Sequence, residues 1–371
     1  MKAEPFRLQI PDAAIADLRE RLARTRLPDE PPLAPWSTGT SVAYLKSLIG
    51  YWQNGFDWRA WEGKLNSFPQ YTLAIGGIDL HFIHAPSRRP DAPPLLLSHG
   101  WPGSVFEFHK IIPLLTEHFT VIAPSLPGYT LSYRPGQHRF GIIEIAELFP
   151  ELMTALGYDK FGAQGGDWGS FITSVLGHRF PDRVTGIHLN LLPVRRDPAM
   201  LQNPNTEEKT YLAQLNNFLK EETGYQWIQG TKPQTLAFGL TDSPAGLAAW
   251  IVEKFHAWTD NSGNPEDAVS RDEMLANISL YWFTGAIGSS FWPYYARMHG
   301  PWPIPDGETV TVPMGYAEFP REILSPPRSL AARTFTDIRR WTRMERGGHF
   351  AALEQPEALA REMIAFFAEL A

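Results

Sequence analysis

FGAQGGDWGS, residues 161–170, joins a short apolar run to a cluster of small residues around one charged side chain. The run is continuous, glycine-bounded and too short for a helix, which is how a buried parallel strand reads. WGSFITSVLGHRF (168–180) then takes up helical spacing. A strand, a glycine-rich turn and a helix make a nucleophile elbow, in which small neighbours let the chain turn sharply and expose one reactive side chain. The usual elbow is Gly-x-Ser-x-Gly. Here Gly166-Asp167-Trp168 stands in place of x-Ser-x, so Asp167 is the side chain presented. A carboxylate there can act as a nucleophile, and the start of a helix favours negative charge. A capping aspartate in a glycine-rich turn is the plainer alternative.

The alternation extends outward from this point. PLLLSHG (94–100), FTVIAPS (119–125) and VTGIHLNLL (184–192) read as further buried strands. IIEIAELFPELMTALG (142–157) reads as a helix ending at Gly157, and residues 104–117 as a crossover helix. Strand and helix in turn imply an α/β fold: a mostly parallel central sheet with helices on both faces. After Pro193 the pattern stops, and residues 195–295 carry helical periodicity, as in LAAWIVEKFHAW (247–258). Strands return at ETVTVPMGYAE (308–318) and FTDIRRWTRM (335–344), and PEALAREMIAFFAELA closes the chain as a helix. A helical insertion splitting an α/β sheet is the simplest arrangement.

Upstream, YTLAIGGIDLHFIHAP (71–86) reads as two strands about a Gly-Gly turn. Residues 11–25 read as an amphipathic helix with Asp12 at its N-cap, and a second helix is expected around 41–53. The rest of 28–70 is loop-rich and aromatic, an arm that must lie over another body because it cannot build a core alone. The expected division is an arm over 1–70, a core over 71–194, a helical cap over 195–298 and the remaining core over 299–371.

Two more features carry chemistry. His99-Gly100-Trp101-Pro102-Gly103 follows the strand at 94–98. In this architecture the loop there supplies one oxyanion donor, and the residue after the nucleophile supplies the other. These would be the backbone N–H groups of Trp101 and Trp168. A tight turn with a buried aromatic is the plainer alternative. Arg346-Gly347-Gly348-His349-Phe350 sets His349 on a glycine-flanked loop before the last helix, as a general base requires. Nucleophile, acid and histidine follow in the α/β-hydrolase order. TVPMGYAEFPREIL (311–324) offers Glu318 and Glu322 as the acid, and spacing alone does not separate them.

With these pieces in place the chain resembles the epoxide hydrolases of the microsomal type, within the α/β-hydrolase superfamily. The resemblance runs through HGWPG (99–103), GGDWGS (165–170), FPREIL (319–324) and RGGHFAALEQPE (346–357). The insertion adds 222–255 and YWFTGAIGSSFWPYY (281–295), and FRLQIPDAAIADLRERLARTRLP (6–28) is similar to the N-terminal segment peculiar to this type. The membrane anchor that precedes this region in the animal microsomal enzymes has no counterpart, so membrane association is not expected. The resemblance implies Asp167 as nucleophile, His349 as base and Glu322 as its acid partner. It implies Tyr225 and Tyr294 as the pair holding the epoxide oxygen, with Tyr295 promoted if the register shifts by one. Trp101 and Trp168 would join the tyrosines in substrate binding. The implied reaction gives a vicinal diol through an alkyl-enzyme ester and needs no metal or cofactor.

The 371 residues carry 33 Lys and Arg against 40 Asp and Glu, a net charge of −7, which disfavours nucleic acid and anionic membranes as partners. There is no cysteine, so disulfides, thiolate metal sites and cysteine nucleophiles are excluded. The first twenty residues lack an apolar core, no stretch suits a membrane span, and the cytoplasm is the default location. A small apolar epoxide is the expected partner, and a homo-oligomer is left open. Competing functions are a haloalkane or haloacetate dehalogenase, which shares the aspartate but needs a halide cradle, and a non-catalytic ligand receptor. An esterase would need serine at 167.

Overall fold

Continuous apolar runs bury both faces of a strand, and the centre of the sheet is built from such runs. The computed structural model describes residues 2–195 and 203–370; Met1, Ala371 and residues 196–202, the start of the expected insertion, lie outside the described residues. Among the described residues nine strands form one sheet: β1 (Glu4–Pro5), β2 (Gln70–Ile75), β3 (Ile78–Ala85), β4 (Pro94–Ser98), β5 (Thr120–Pro124), β6 (Phe161–Gly165), β7 (Val184–Leu189), β8 (Met314–Glu318) and β9 (Ile338–Arg343). Their order is β1-β2-β3-β5-β4-β6-β7-β8-β9. The β1–β2, β2–β3 and β3–β5 pairs are antiparallel and the other five parallel. This is the α/β-hydrolase fold.

The order also places the site. From β4 the chain goes to β5 on one side, then crosses to β6 on the other. The crevice beyond the C-terminal ends of β4 and β6 is therefore a topological switch point, where open α/β sheets bind ligands. Ser98 is in register with Gly165, so the loop after β4 and the elbow after β6 face each other across it.

Several local expectations need correction. Residues 104–117 form no continuous crossover helix. A short 3₁₀ helix, Val105–Phe108, and a single turn, Ile112–Leu115, take their place, with Pro113 at the start of the second. Strand pairing in 308–318 is confined to β8 apart from one bridge between Val310 and Phe335, because Pro313 interrupts the ladder. Asp12 is not the N-cap of the helix Asp12–Ala23: Pro11 takes that position, and the Asp12 carboxylate pairs with Arg59. The arm holds an unexpected helix, Trp58–Leu65, whose signal was Asp57, which accepts the Ala60 N–H at 3.3 Å.

The arm is fastened mainly to the helical insertion. Trp52 Nε1 donates to Ser279 Oγ at 3.0 Å, Tyr51 OH to Asp272 at 2.8 Å, and Trp36 stacks on His256 with ring centroids 4.0 Å apart. The insertion runs as helices from Thr206–Glu221 to Trp292–His299, between β7 and β8. Among the described residues no helix is long and apolar enough to cross a membrane.

Candidate active site

Close approach of chains at the elbow requires glycine. A Cβ on Gly169 would lie 1.8 Å from the Ser98 carbonyl oxygen, and one on Gly165 would lie 2.1 Å from that of Gly169. The helix Asp167–Arg179 can thus press against the ends of β4 and β6. Asp167 itself has φ +47°, a left-handed conformation that costs a non-glycine residue energy and marks functional turns. Opposite it, a Cβ on Gly100 would fall 2.2 Å from Asp167 Oδ1. That missing side chain lets the carboxylate reach the backbone, and Trp101 N–H donates to Oδ1 at 2.7 Å.

His349 reaches the other carboxylate oxygen. Its Nε2 lies 3.3 Å from Asp167 Oδ2, and its Nδ1 lies 2.6 Å from Glu322 Oε1. The loop carrying it is clamped. His349 N–H donates to the Trp258 carbonyl at 2.8 Å, Gly347 N–H to Asp260 Oδ2 at 3.0 Å, and a Cβ on Gly348 would meet the Trp258 oxygen at 2.4 Å. Burial opposes charge on the imidazole, but Glu322 and Asp167 on its two sides outweigh burial and raise it to about 10. At neutral pH the resting ring is an imidazolium.

Glu318 and Glu322 are separated by the fold. Glu318 ends β8 and accepts the Trp341 indole N–H at 2.9 Å, away from the histidine. Glu322 is buried against His349 and also accepts the Ile323 N–H at 2.7 Å.

Helices of the insertion bring the tyrosines. Tyr225 lies on Gly224–Thr231 and Tyr294 on Trp292–His299, and both are buried. They line a cavity of about 470 Å³ together with Asp167 and Trp168. Tyr225 stacks on Trp101 at 5.5 Å, and Tyr294 meets Trp168 edge-on at 4.7 Å and Tyr225 at 5.8 Å. Burial, then the nearby Tyr225 and Asp167, push the Tyr294 phenol well above its ordinary value, so it stays a proton donor. Tyr295 instead stacks between Trp292 and His299 and does not line the cavity. Trp101 is buried behind Tyr225, while Trp168 forms part of the cavity wall. The remaining wall is largely apolar, with Phe171, Leu191 and Met298, and two guanidiniums, Arg195 and Arg297, lie against Trp302.

Sequence reasoning missed three contributors. Trp258 touches both Tyr225 and His349 with its ring. Lys254, on the same helix, sits 4.4 Å over the Tyr225 ring. Glu107, half-buried and lining a small cavity with Asp167, gave one signal: it is the lone charge in the apolar stretch VFEF. Among the described residues no cluster of His, Cys, Asp and Glu could hold a metal ion.

The comparisons with known proteins agree with one another. The family described as Epoxide hydrolase N terminus matches residues 3–108, and that described as alpha/beta hydrolase fold matches 93–236. A protein of Stigmatella aurantiaca (strain DW4/3-1), provisionally named an epoxide hydrolase, is 43% identical over 376 residues, spanning 99% of this chain and 85% of that one. Epoxide hydrolase 1 of Oryctolagus cuniculus is 38% identical over 403 residues, spanning 98% and 88%. The solved structure of Aspergillus niger epoxide hydrolase superposes with a TM-score of 0.88 at 33% identity, covering 100% of this chain and 97% of that one.

Proposed function

This chain belongs to the epoxide hydrolase family, and from that membership we propose how its own residues turn an epoxide and water into a vicinal diol. It is a hydrolase that opens epoxides. The assignment of roles rests on one observation above all: a carboxylate stands at the elbow, where acyl transfer would need a hydroxyl, and two buried phenols share its cavity.

Asp167 attacks an epoxide carbon, the carbon–oxygen bond breaks, and an alkyl ester forms. Tyr225 and Tyr294 donate hydrogen bonds to the departing oxygen and protonate the alkoxide. The phenolate left behind regains its proton from solvent. Ester formation erases the Asp167 charge, which was one of the two holding the imidazolium. His349 then loses its proton to solvent and, oriented by Glu322, takes one from the hydrolytic water. The hydroxide adds to the ester carbonyl, and Trp101 and Trp168 N–H groups face the developing oxyanion. Collapse of this intermediate breaks the bond between the acyl carbon and the alkyl oxygen. The His349 imidazolium gives its proton to the departing alkoxide to complete the diol, and the proton left on the Asp167 acid passes to His349, restoring the resting ion pair.

The substrate in this proposal is an apolar epoxide, supported by the aromatic and aliphatic wall of the cavity. The cytoplasm as its place of action fits a chain without cysteine. A single turnover in heavy-oxygen water tests the covalent route. The first diol should carry unlabelled oxygen from the enzyme, with label entering Asp167. Labelled oxygen in that first product would mean direct attack by water and no ester.

A further inference from the structure

Asp167 lines two cavities, and among the described residues no other lines both. The larger is the substrate cavity beneath the tyrosines. The smaller is walled by the loop after β4, the ends of β6 and β7 and the His349 loop rather than by the tyrosines, and offers about 20 Å³ to water, enough for one molecule. Its polar lining is Asp167, His349, Glu107, Gln164 and Asn190. Once Asp167 is alkylated, the alkyl chain occupies the substrate cavity. Water must then reach the ester carbonyl from the sheet side, which this small chamber faces.

Most polar groups of the chamber are already engaged. Gln164 Nε2 donates to Asn190 Oδ1 at 2.8 Å, and His349 Nδ1 is held by Glu322. The Glu107 side chain is half-buried and its carboxyl has no hydrogen-bond partner among the described residues, which leaves its oxygens to water in this chamber. The chain makes room for it: a Cβ on Gly103 would lie 2.1 Å from Glu107 Oε2. Helix Arg271–Thr284 fixes this loop, with Asn277 Nδ2 donating to the Pro102 carbonyl at 2.8 Å and Tyr281 OH to that of Gly103 at 2.6 Å. A glycine that shelters a carboxyl with no protein partner, on a loop clamped in place, is the pattern of a built water site.

We propose that Glu107 is a further catalytic residue of the second half-reaction, holding the hydrolytic water between its carboxyl and His349 Nε2 with the oxygen aimed at the Asp167 ester carbon. The water donates one hydrogen to His349, which takes it as a proton, and the other to a Glu107 oxygen, which keeps only the hydrogen bond. The Glu107 charge state does not change in the step. Burial first, with the Asp167 charge adding and His349 opposing, raises this carboxyl to about 8. A neutral acid at pH 7 leaves the resting site free of a second carboxylate charge beside the nucleophile.

This inference rests on Asp167 forming an ester, and the test separates the two. Alkylation and ester decay are followed by rapid quench and intact mass, with styrene oxide as the probe, for wild type, Glu107→Leu and Glu107→Gln. Glu107→Leu should alkylate within about threefold of wild type and lose about 10- to 100-fold in ester decay. Glu107→Gln, whose amide oxygen can still accept the water's hydrogen, should recover most of that loss. Ester decay at the wild-type rate in Glu107→Leu would overturn the proposal, and so would an equal fall in both steps. Should Glu107→Leu fail to fold, Gly103→Ala decides, because it displaces the carboxyl: decay must slow while alkylation persists, and normal decay defeats the idea. Wild-type enzyme that never gains mass would instead defeat the ester itself.

Discussion

The two walls that meet at Asp167 are built differently. On the sheet side the groups are backbone or backbone-adjacent: the Trp101 N–H after β4, the elbow after β6, Glu322 beyond β8 and His349 beyond β9. Their positions follow from strand register and from glycines that no other residue could replace without collision. On the insertion side Tyr225 and Tyr294 come from two short helices whose tyrosine rings meet edge-on. In the proposed mechanism the sheet wall carries the covalent chemistry, while the helical wall carries leaving-group assistance and substrate fit. Changes in the first should abolish a step, and changes in the second should scale one.

The largest effect belongs to the residue that both walls share. Asp167→Asn keeps size and tolerates positive φ, but an amide does not attack the epoxide. Diol formation should fall by on the order of 10⁴-fold or more, as for other covalent nucleophiles, measured before any deamidation. Retained turnover with no mass adduct would break the comparison at its centre.

Next comes His349. In His349→Gln alkylation should persist while ester decay falls by about 10²- to 10⁴-fold, so a stable adduct accumulates. The same residue gives a stability signature. Its native pKa, raised to about 10, lies above the ordinary value near 6.5, so the folded protein holds a proton that the unfolded chain releases. That contribution is fully present below about 6.5 and is lost as pH rises through about 10. The stability difference between wild type and His349→Gln should therefore shrink over this window in urea titrations. A difference that grows with pH would mean that the imidazole is neutral at rest.

The tyrosines should scale rather than abolish. Each charge-assisted hydrogen bond to the departing oxygen is worth about 1.5–3 kcal/mol, or about 10- to 150-fold. Tyr225→Phe and Tyr294→Phe should each slow alkylation within that range, and the double variant should nearly stop it. Decay of any ester formed should be unchanged. Tyr295→Phe, outside the cavity, should alter neither step by more than about twofold. A large effect at Tyr295 and none at Tyr294 would move the register by one residue.

The same contrast explains what could be read from the sequence. Asp167, His349 and the Trp101 loop were legible because strand ends and glycine collisions leave local marks in HGWPG, GGDWGS and RGGH. Glu322 and Glu318 were not separable by spacing. Only the fold distinguishes a carboxylate facing His349 from one facing Trp341. The tyrosines came from resemblance, since a phenol on a helix in a chain of 12 tyrosines carries no local mark. Glu107 went unread for a related reason: the continuous crossover helix expected over 104–117 hid the turn that points its carboxyl under Gly103.

The smallest effect on turnover is expected where the arm grips the insertion. Trp52 Nε1 and Ser279 Oγ are both buried and bond at 3.0 Å, on the helix that also clamps the Trp101 loop through Asn277 and Tyr281. Ser279→Ala removes the acceptor and strands the indole N–H, which costs about 1–3 kcal/mol when no water can enter. If arm, helix and loop unfold as one cooperative unit, that cost appears in full as a lower Tm and a lower urea midpoint with an unchanged m-value. Alkylation and ester decay at 25 °C should stay within about twofold of wild type, since Asn277 and Tyr281 still hold the loop. A normal midpoint with slowed ester decay would give the opposite picture: an arm that contributes little stability and acts instead on the Trp101 donor, which would move the helical wall from shaping substrate to tuning the covalent step.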